Sequence, residues 1–376
     1  MKMEINVNTD ILVWAIERAG YNLEEISLKV PNIFSWISGD KKPTLKQLEK
    51  FAQKTYLPFG YLFLDNPPIE KNPIPFFRTE QVGEHKISLN VYDSILIAQE
   101  RQEWLANYLK ENEYLPLDFV GRFKSHSDIK EIVKDIRTTL NLSDSWASEF
   151  PNWEKAREYL TQVIEEVGVI ISSSSIVGNN VYRKIKVNEC RGFVLIDNYV
   201  PFMFINSSDS KSAQLFTIAH EIAHIWIGES AGFDFRNLQP ANNHIELLCN
   251  KIAAELLVPS DLLKKKWDAE KGIEYLAREF KVSQIVIARR LLDLNKLNKN
   301  DFFKFYNNYI NLEVRSKETG NNGGDFYSTA KKRLNKRFLY FVNQAVNESK
   351  LLIRDAYRLT GLRGGAYNKL IKEHLL

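Results

Sequence analysis

The sequence predicts an α+β fold, mostly helical, on three observations. Long stretches carry apolar residues at helical spacing, and three short apolar segments between residues 167 and 206 carry a strand pattern. Directly after them comes a helical segment on which two histidines and a glutamate have metal-site spacing. The sheet is therefore expected to be small and to precede that helix, with helical regions on both sides.

Residues 1–66 read as a small helical module. Helical patterns run from Thr9 to Ala19, closed by Gly20, and again from Leu23. After Trp36-Ile37-Ser38-Gly39-Asp40-Lys41-Lys42-Pro43-Thr44 comes an amphipathic helix with Leu45, Leu48, Phe51 and Ala52. Pro31 forbids a continuous helix between Leu23 and Trp36. What remains, Asn32-Ile33-Phe34-Ser35, is too short to present several base-reading side chains, and only Asn32 and Ser35 offer polar contacts. Packing or partner binding is thus preferred for this module, with DNA binding as the alternative.

Residues 67–150 read as linker and helical scaffold. Asp65-Asn66-Pro67-Pro68 and the proline-spaced Asn72–Arg78 stretch are expected to be extended. Helices are expected over Leu89–Leu115, Ser127–Leu140 and Trp153–Val167, the last opening a domain that runs over 151–314. Its strands are expected at Val167–Ser172, Gly192–Asp197 and Pro201–Asn206, with a hairpin turn at Asp197-Asn198.

His220-Glu221-Ile222-Ala223-His224 carries the chemistry. Positions i and i+4 of a helix lie one above the other, so both imidazoles can face one metal ion. Glu221 then stands where a carboxylate can take a proton from a metal-bound water. Only six histidines occur in 376 residues, which makes this spacing a poor candidate for accident. Leu215–Ala219 before the motif and Ile225-Trp226-Ile227 after it are apolar nearly all round, so the helix is expected to be buried, where its polar groups need partners. A zinc hydrolase site has three protein ligands and one position for water. The third is expected from the helical stretch His244–Pro259, where Glu246 and Glu255 lie on opposite flanks of one apolar stripe. Glu246 is favoured because it shares its flank with Asn250 and the small Ala253 and Ala254, which permit close approach. His244 is a weaker candidate, read as a solvated helix-start residue. Cys249, one turn after Glu246, reads as a small buried thiol, with an influence on the metal site as the alternative.

Beyond the turn-rich Arg315–Asp325 stretch, residues 325–376 read as a helical C-terminal domain. A basic cluster, Lys331-Lys332-Arg333 with Lys336-Arg337, is interleaved with Phe338, Tyr340 and Phe341. Leu352–Ile371 then reads as helix, glycine turn at Gly361, helix. A helical cap or substrate-recruiting module with a solvated basic face is preferred to a nucleic-acid-binding helix-turn-helix.

His220-Glu221-x-x-His224 followed by Glu246-x-x-Cys249-Asn250-x-x-Ala253-Ala254-Glu255-Leu256-Leu257-x-Pro259 resembles the ImmA/IrrE family of regulatory metallopeptidases. The family carries Ala where this chain has Cys249. Trp36-x-x-Gly39-x-x-x-Pro43-Thr44 with the helix after it resembles the repressor-type helix-turn-helix that often precedes such peptidases, although the stretch before it is about four residues shorter here. The resemblance implies a zincin-like peptidase domain, zinc as cofactor and Glu246 as third ligand. It also implies a protein substrate, either a repressor or a toxin–antitoxin partner encoded nearby. The expected function is a zinc-dependent endopeptidase in which Glu221 activates water and an unidentified Tyr, His or Arg stabilises the oxyanion. The competing class is a non-catalytic DNA-binding or toxin-neutralising regulator with a structural or vestigial metal site.

Composition is compatible with this reading. A 44% hydrophobic content over 376 residues provides for two or three domains with ample core. No window approaches eighteen uninterrupted apolar residues and Met-Lys-Met-Glu-Ile-Asn does not read as a signal peptide, so no membrane association is expected. Two cysteines give no disulfide framework, which points to a cytoplasmic location. A net charge of +4 is too mild to diagnose nucleic-acid binding.

Overall fold

The computed structural model describes residues 4–70, 87–229, 231–233, 244–268, 272–316 and 326–374. These divide into two compact units, one ending at residue 93 and one beginning at residue 94.

In the first unit the Asn8 side chain accepts the Asp10 amide and starts α1 (Thr9–Arg18). A reciprocal Asn22–Glu25 capping box starts α2 (Leu23–Ser27). Pro31 separates α2 from α3 (Ile33–Ile37), and α4 (Leu45–Thr55) follows Thr44, whose amide donates to Gln47. A 3-10 turn, Phe59–Phe63, completes the unit. Its core draws Ile11, Leu12 and Ile16 from α1, Ile26 from α2, and Leu48 and Phe51 from α4. The short α3 commits Ile33 and Trp36 to that core, with Trp36 meeting Phe51 edge-on at 6.4 Å, and leaves Phe34 51% exposed.

The chain continues through α5 (Leu89–Glu111), α6 (Ile129–Thr139) and α7 (Trp153–Glu166) into a sheet region. Its strands are β1 (Ile170–Ser174), β2 (Ile176–Val177), β3 (Asn180–Lys184), β4 (Gly192–Leu195) and β5 (Phe202–Asn206). Next come α8 (Lys211–Ile227), β6 (Ala231–Phe233) and α9 (His244–Leu257). The remaining elements are α10 (Ser260–Lys266), α11 (Gly272–Phe280), α12 (Gln284–Asp293), α13 (Lys299–Ser316), α14 (Phe326–Leu334), α15 (Lys336–Asn347), α16 (Ile353–Thr360) and α17 (Gly364–His374). The fold is α+β and mostly helical.

Four strands form the main sheet in the order β1-β5-β4-β6, while β2 and β3 make a separate antiparallel hairpin. β1 runs parallel to β5, with Ile170 opposite Phe202, and β4 is antiparallel to both β5 and β6. β4 and β5 are buried at every position, the burial expected of apolar runs without alternation. The connection between them spans residues 196–201, longer than a two-residue hairpin. Asp197 still makes the turn, its Oδ1 accepting the Tyr199 and Val200 amides at 2.8 and 2.9 Å.

α8 lies at the centre of the second unit, against β4 and β5 and between α7 and α9. Trp226 near its end stacks on Phe119 (4.5 Å between centroids) and donates to Asp135 at 2.7 Å. Arg137 of α6 donates to the Leu256 carbonyl at 2.6 Å, anchoring the end of α9. Among the described residues no helix is long and apolar enough to cross a membrane.

The Asn72–Arg78 stretch and most of the expected Arg315–Asp325 linker lie outside the described residues, and α13 extends to Ser316. The C-terminal helices are not detached from the sheet: α14 packs on β1, and Ser172 Oγ donates to the Arg333 carbonyl at 2.7 Å. The expected solvated basic face holds for Lys331 and Lys332, which are exposed, but Arg333 is buried.

Asn335 links α15 to what lies before it. At φ 63° it occupies the left-handed region that Asn tolerates, and its Oδ1 accepts the Arg337 and Phe338 amides to start α15. Its Nδ2 donates to Glu165 at 2.8 Å. Burial pushes the Glu165 carboxyl up to about 7, against the opposing pull of Asn335, Lys331 and Arg157. In the unfolded chain such a carboxyl titrates near about 4.3. Between that value and about 7 the folded protein binds a proton that the unfolded chain has released, so this group's contribution to stability is lost as pH rises through that window. Glu165→Gln is expected to stabilise the protein at pH 8 by about 1–2 kcal/mol, discounted for partial exposure, and to change little at pH 4. Urea unfolding at both pH values checks this; a pH-independent difference between the two proteins would rule it out.

Candidate metal centre

The helix carrying the two histidines is defined at both ends. Ser210 caps α8 by accepting the Ala213 amide, and Gly228 closes it in the left-handed conformation at φ 83°. A Cβ on Gly228 would come within 2.9 Å of the Gly121 Cα, so the helix end also needs glycine for close approach. His220, Glu221 and His224 have no exposed surface.

His220 Nε2 and His224 Nε2 lie 3.1 Å apart. From α9, Glu246 brings Oε2 to 3.2 Å from His220 Nε2 and Oε1 to 3.2 Å from His224 Nε2. The three side chains thus form a triangle in which a different Glu246 oxygen faces each imidazole, and their ligand atoms all lie within 4.8 Å of one another. A tetrahedral cation with bonds of about 2.0–2.1 Å spaces its donors about 3.3–3.4 Å apart, close to the nearest of these separations. Asn250, one turn after Glu246, lies 3.1 Å from His220 Nδ1 through Oδ1. A carbonyl oxygen only accepts, so the proton sits on Nδ1 and His220 Nε2 turns its lone pair into the triangle. Three electron-rich atoms converging in a buried space are reconciled by a positive ion, and the residues fit one.

Charge states point the same way. Burial lowers the His220 pKa despite the opposing pull of Glu246, so the ring is neutral near pH 7. Burial alone would raise Glu246, but hydrogen bonds and charge from His220 and His224 bring it down to about 2. Burial keeps His220 neutral, so an ionised Glu246 faces a neutral His220 imidazole. Neutral histidine and ionised carboxylate are the ligand forms. Glu221 differs: burial first, then the Glu246 charge, push its carboxyl well above the usual range. Neither of its oxygens has a hydrogen-bond partner among the described residues. A cation in the triangle would oppose both causes and favour the ionised form.

The other candidates lie elsewhere. Glu255 accepts from the Ser260 amide and hydroxyl, each at 3.0 Å, and pairs with Arg290. His244 is exposed at the start of α9. Cys249 is fully buried, and burial together with Glu246 and Glu221 holds its thiol neutral.

Two contributors escape sequence reasoning. Asn250 reads there only as a small polar flank residue. Gly192 of β4 reads as a strand start, yet a Cβ at this position would come within 2.6 Å of Thr217 Cγ2, 2.9 Å of the Phe204 carbonyl oxygen and 3.4 Å of Glu221 Oε1. Glycine lets β4 pass directly against the face of α8 that carries Glu221. Its only sequence signal is a glycine at the head of an apolar run.

Residues 165–292 match the family model Peptidase_M78, described as an IrrE N-terminal-like domain. Residues 334–373 match a second family model, a domain of unknown function (DUF8813). No curated protein matches the chain. The first match gives residues 165–292 a metallopeptidase-type character, and the His-His-Glu cluster falls inside it.

Proposed function

We propose that the protein is a zinc-dependent endopeptidase that cleaves a regulatory protein, a repressor or a toxin–antitoxin partner encoded nearby. The observation that carries this reading is the triangle of His220 Nε2, His224 Nε2 and Glu246 carboxylate oxygens with an unpartnered, buried Glu221 beside it. When bound, zinc supplies a Lewis acid that lowers the pKa of water and polarises the scissile carbonyl. Glu221 accepts the proton of the attacking water and passes it to the departing amine. Asn250 keeps the His220 ring turned toward the triangle, and Gly192 keeps the sheet close to Glu221. The substrate backbone is read as adding along the edge of β6 that faces away from β4, where no further strand pairs among the described residues.

Incubating the purified protein with its genomically adjacent proteins, with and without a chelator, tests the proposal. The expected result is discrete fragments of one neighbour that vanish on chelation. Intact complexes without fragments, unaffected by added zinc, would favour a non-catalytic regulator.

A further inference from the structure

Away from the metal centre, two arginines are buried together with no carboxylate paired to either among the described residues. Arg101 of α5 and Arg333 of α14 are each only 6% exposed. Arg101 Nε donates to the Leu359 carbonyl at 2.9 Å, and its guanidinium lies 5.9 Å from the centroid of the Phe338 ring. Arg333 Nη1 donates to the Gly178 carbonyl at 2.7 Å and to Asn179 Oδ1. All these acceptors are neutral, and neither arginine forms an ion pair among the described residues. Glu100, beside Arg101 in sequence, pairs with Arg358 at 3.0 Å instead. Burial and then the Arg333 charge bring Arg101 down to about 10, against a smaller opposing pull from Glu100. Uncompensated charge in such surroundings is strongly unfavourable, and like charges worsen it.

Both arginines line a cavity of about 20 Å³ whose other walls include Ser94, Ile97, Ser172, Ser174, Phe202 and Phe204. A single water needs roughly 10–15 Å³ of such space, so the cavity has room for one particle of about water size or slightly larger. Two of the three serine hydroxyls on the wall are committed elsewhere: Ser172 Oγ donates to the Arg333 carbonyl at 2.7 Å and Ser174 Oγ to the Ile176 carbonyl at 2.8 Å. That leaves guanidinium N–H groups, Ser94 and apolar walls. Phosphate recruits many directed donors. A monatomic, weakly hydrated anion needs only charge and a few N–H groups.

We propose that Arg101 and Arg333 hold a chloride-sized monatomic anion in this cavity, where α5, β1 and α14 meet. The ion neutralises two like charges and ties the C-terminal helices to β1. Stability therefore responds to the identity of the salt as well as to ionic strength.

Thermal unfolding of the full chain in sodium chloride and in sodium gluconate, at equal ionic strength, tests this. Chloride at about tenfold over its Kd is expected to raise Tm by about 2–5 °C and to saturate. Arg101→Met and Arg333→Met should each remove the chloride increment. A bromide-soaked crystal of the unaltered protein gives an independent readout, an anomalous peak touching both guanidinium groups. Identical Tm in the two salts, an increment that survives in both variants, or a crystal with no bromide at this position would overturn the proposal. So would stabilisation by inorganic phosphate where chloride is inert.

Discussion

Replacing Glu221 with glutamine is expected to leave zinc bound and to lower peptide-bond cleavage by about 10²–10⁴-fold. The amide keeps the shape of the side chain but cannot take a proton from water. Glu221 is fully buried, with neither oxygen hydrogen-bonded among the described residues, so no visible contact is lost. Burial also makes its ionised form unfavourable, so the glutamine variant is expected to be at least as stable as the parent when metal is stripped from both. Elemental analysis, a cleavage assay and a thermal scan on one preparation measure all three. Undiminished turnover in a zinc-replete variant would remove Glu221 from the chemistry.

His224→Ala, and separately Glu246→Gln, is expected to abolish stoichiometric zinc binding. Each removes one of three side chains whose nearest ligand atoms lie 3.1 to 3.2 Å apart, and two donors hold a tetrahedral ion far less firmly than three. In the parent, chelation should lower Tm by about 5–10 °C relative to zinc at a hundredfold over its Kd. The variants should unfold at the same temperature with and without chelator. Normal zinc content in both variants would refute the ligand assignment, whatever the cleavage assay reads.

The helical part of the site was open to sequence reading because one period governs it. Four residues make about one turn, so His220 and His224 must share a face of α8. Glu246 and Glu255 separate by the same logic: nine residues put them on opposite flanks, and in the structure one meets the imidazoles while the other meets Ser260 and Arg290. Contributions from tertiary approach had no such signal. Asn250 matters through one bond to His220 across two helices, and Gly192 through an atom it lacks. The fold divides similarly. β4 and β5 announce themselves as apolar runs and β1 only through Ile170 and Ile171, so it starts three residues after the expected Val167 and runs on through serines to Ser174. β6 has only three residues and the β2–β3 hairpin exposes Val181 and Tyr182. Arg333 reads as one more surface cation because its run of basic neighbours is solvated, and only the packing of α14 on β1 buries it.

Gly192 also sets a limit on how this protein can change. Where a strand and a helix touch through a missing methyl, any substitution must wedge them apart, and the wedge opens beside the very carboxyl that needs a dry, rigid seat. Drift at that codon is thus closed even to alanine, the mildest replacement, and the gap between sheet and helix cannot be tuned in small steps.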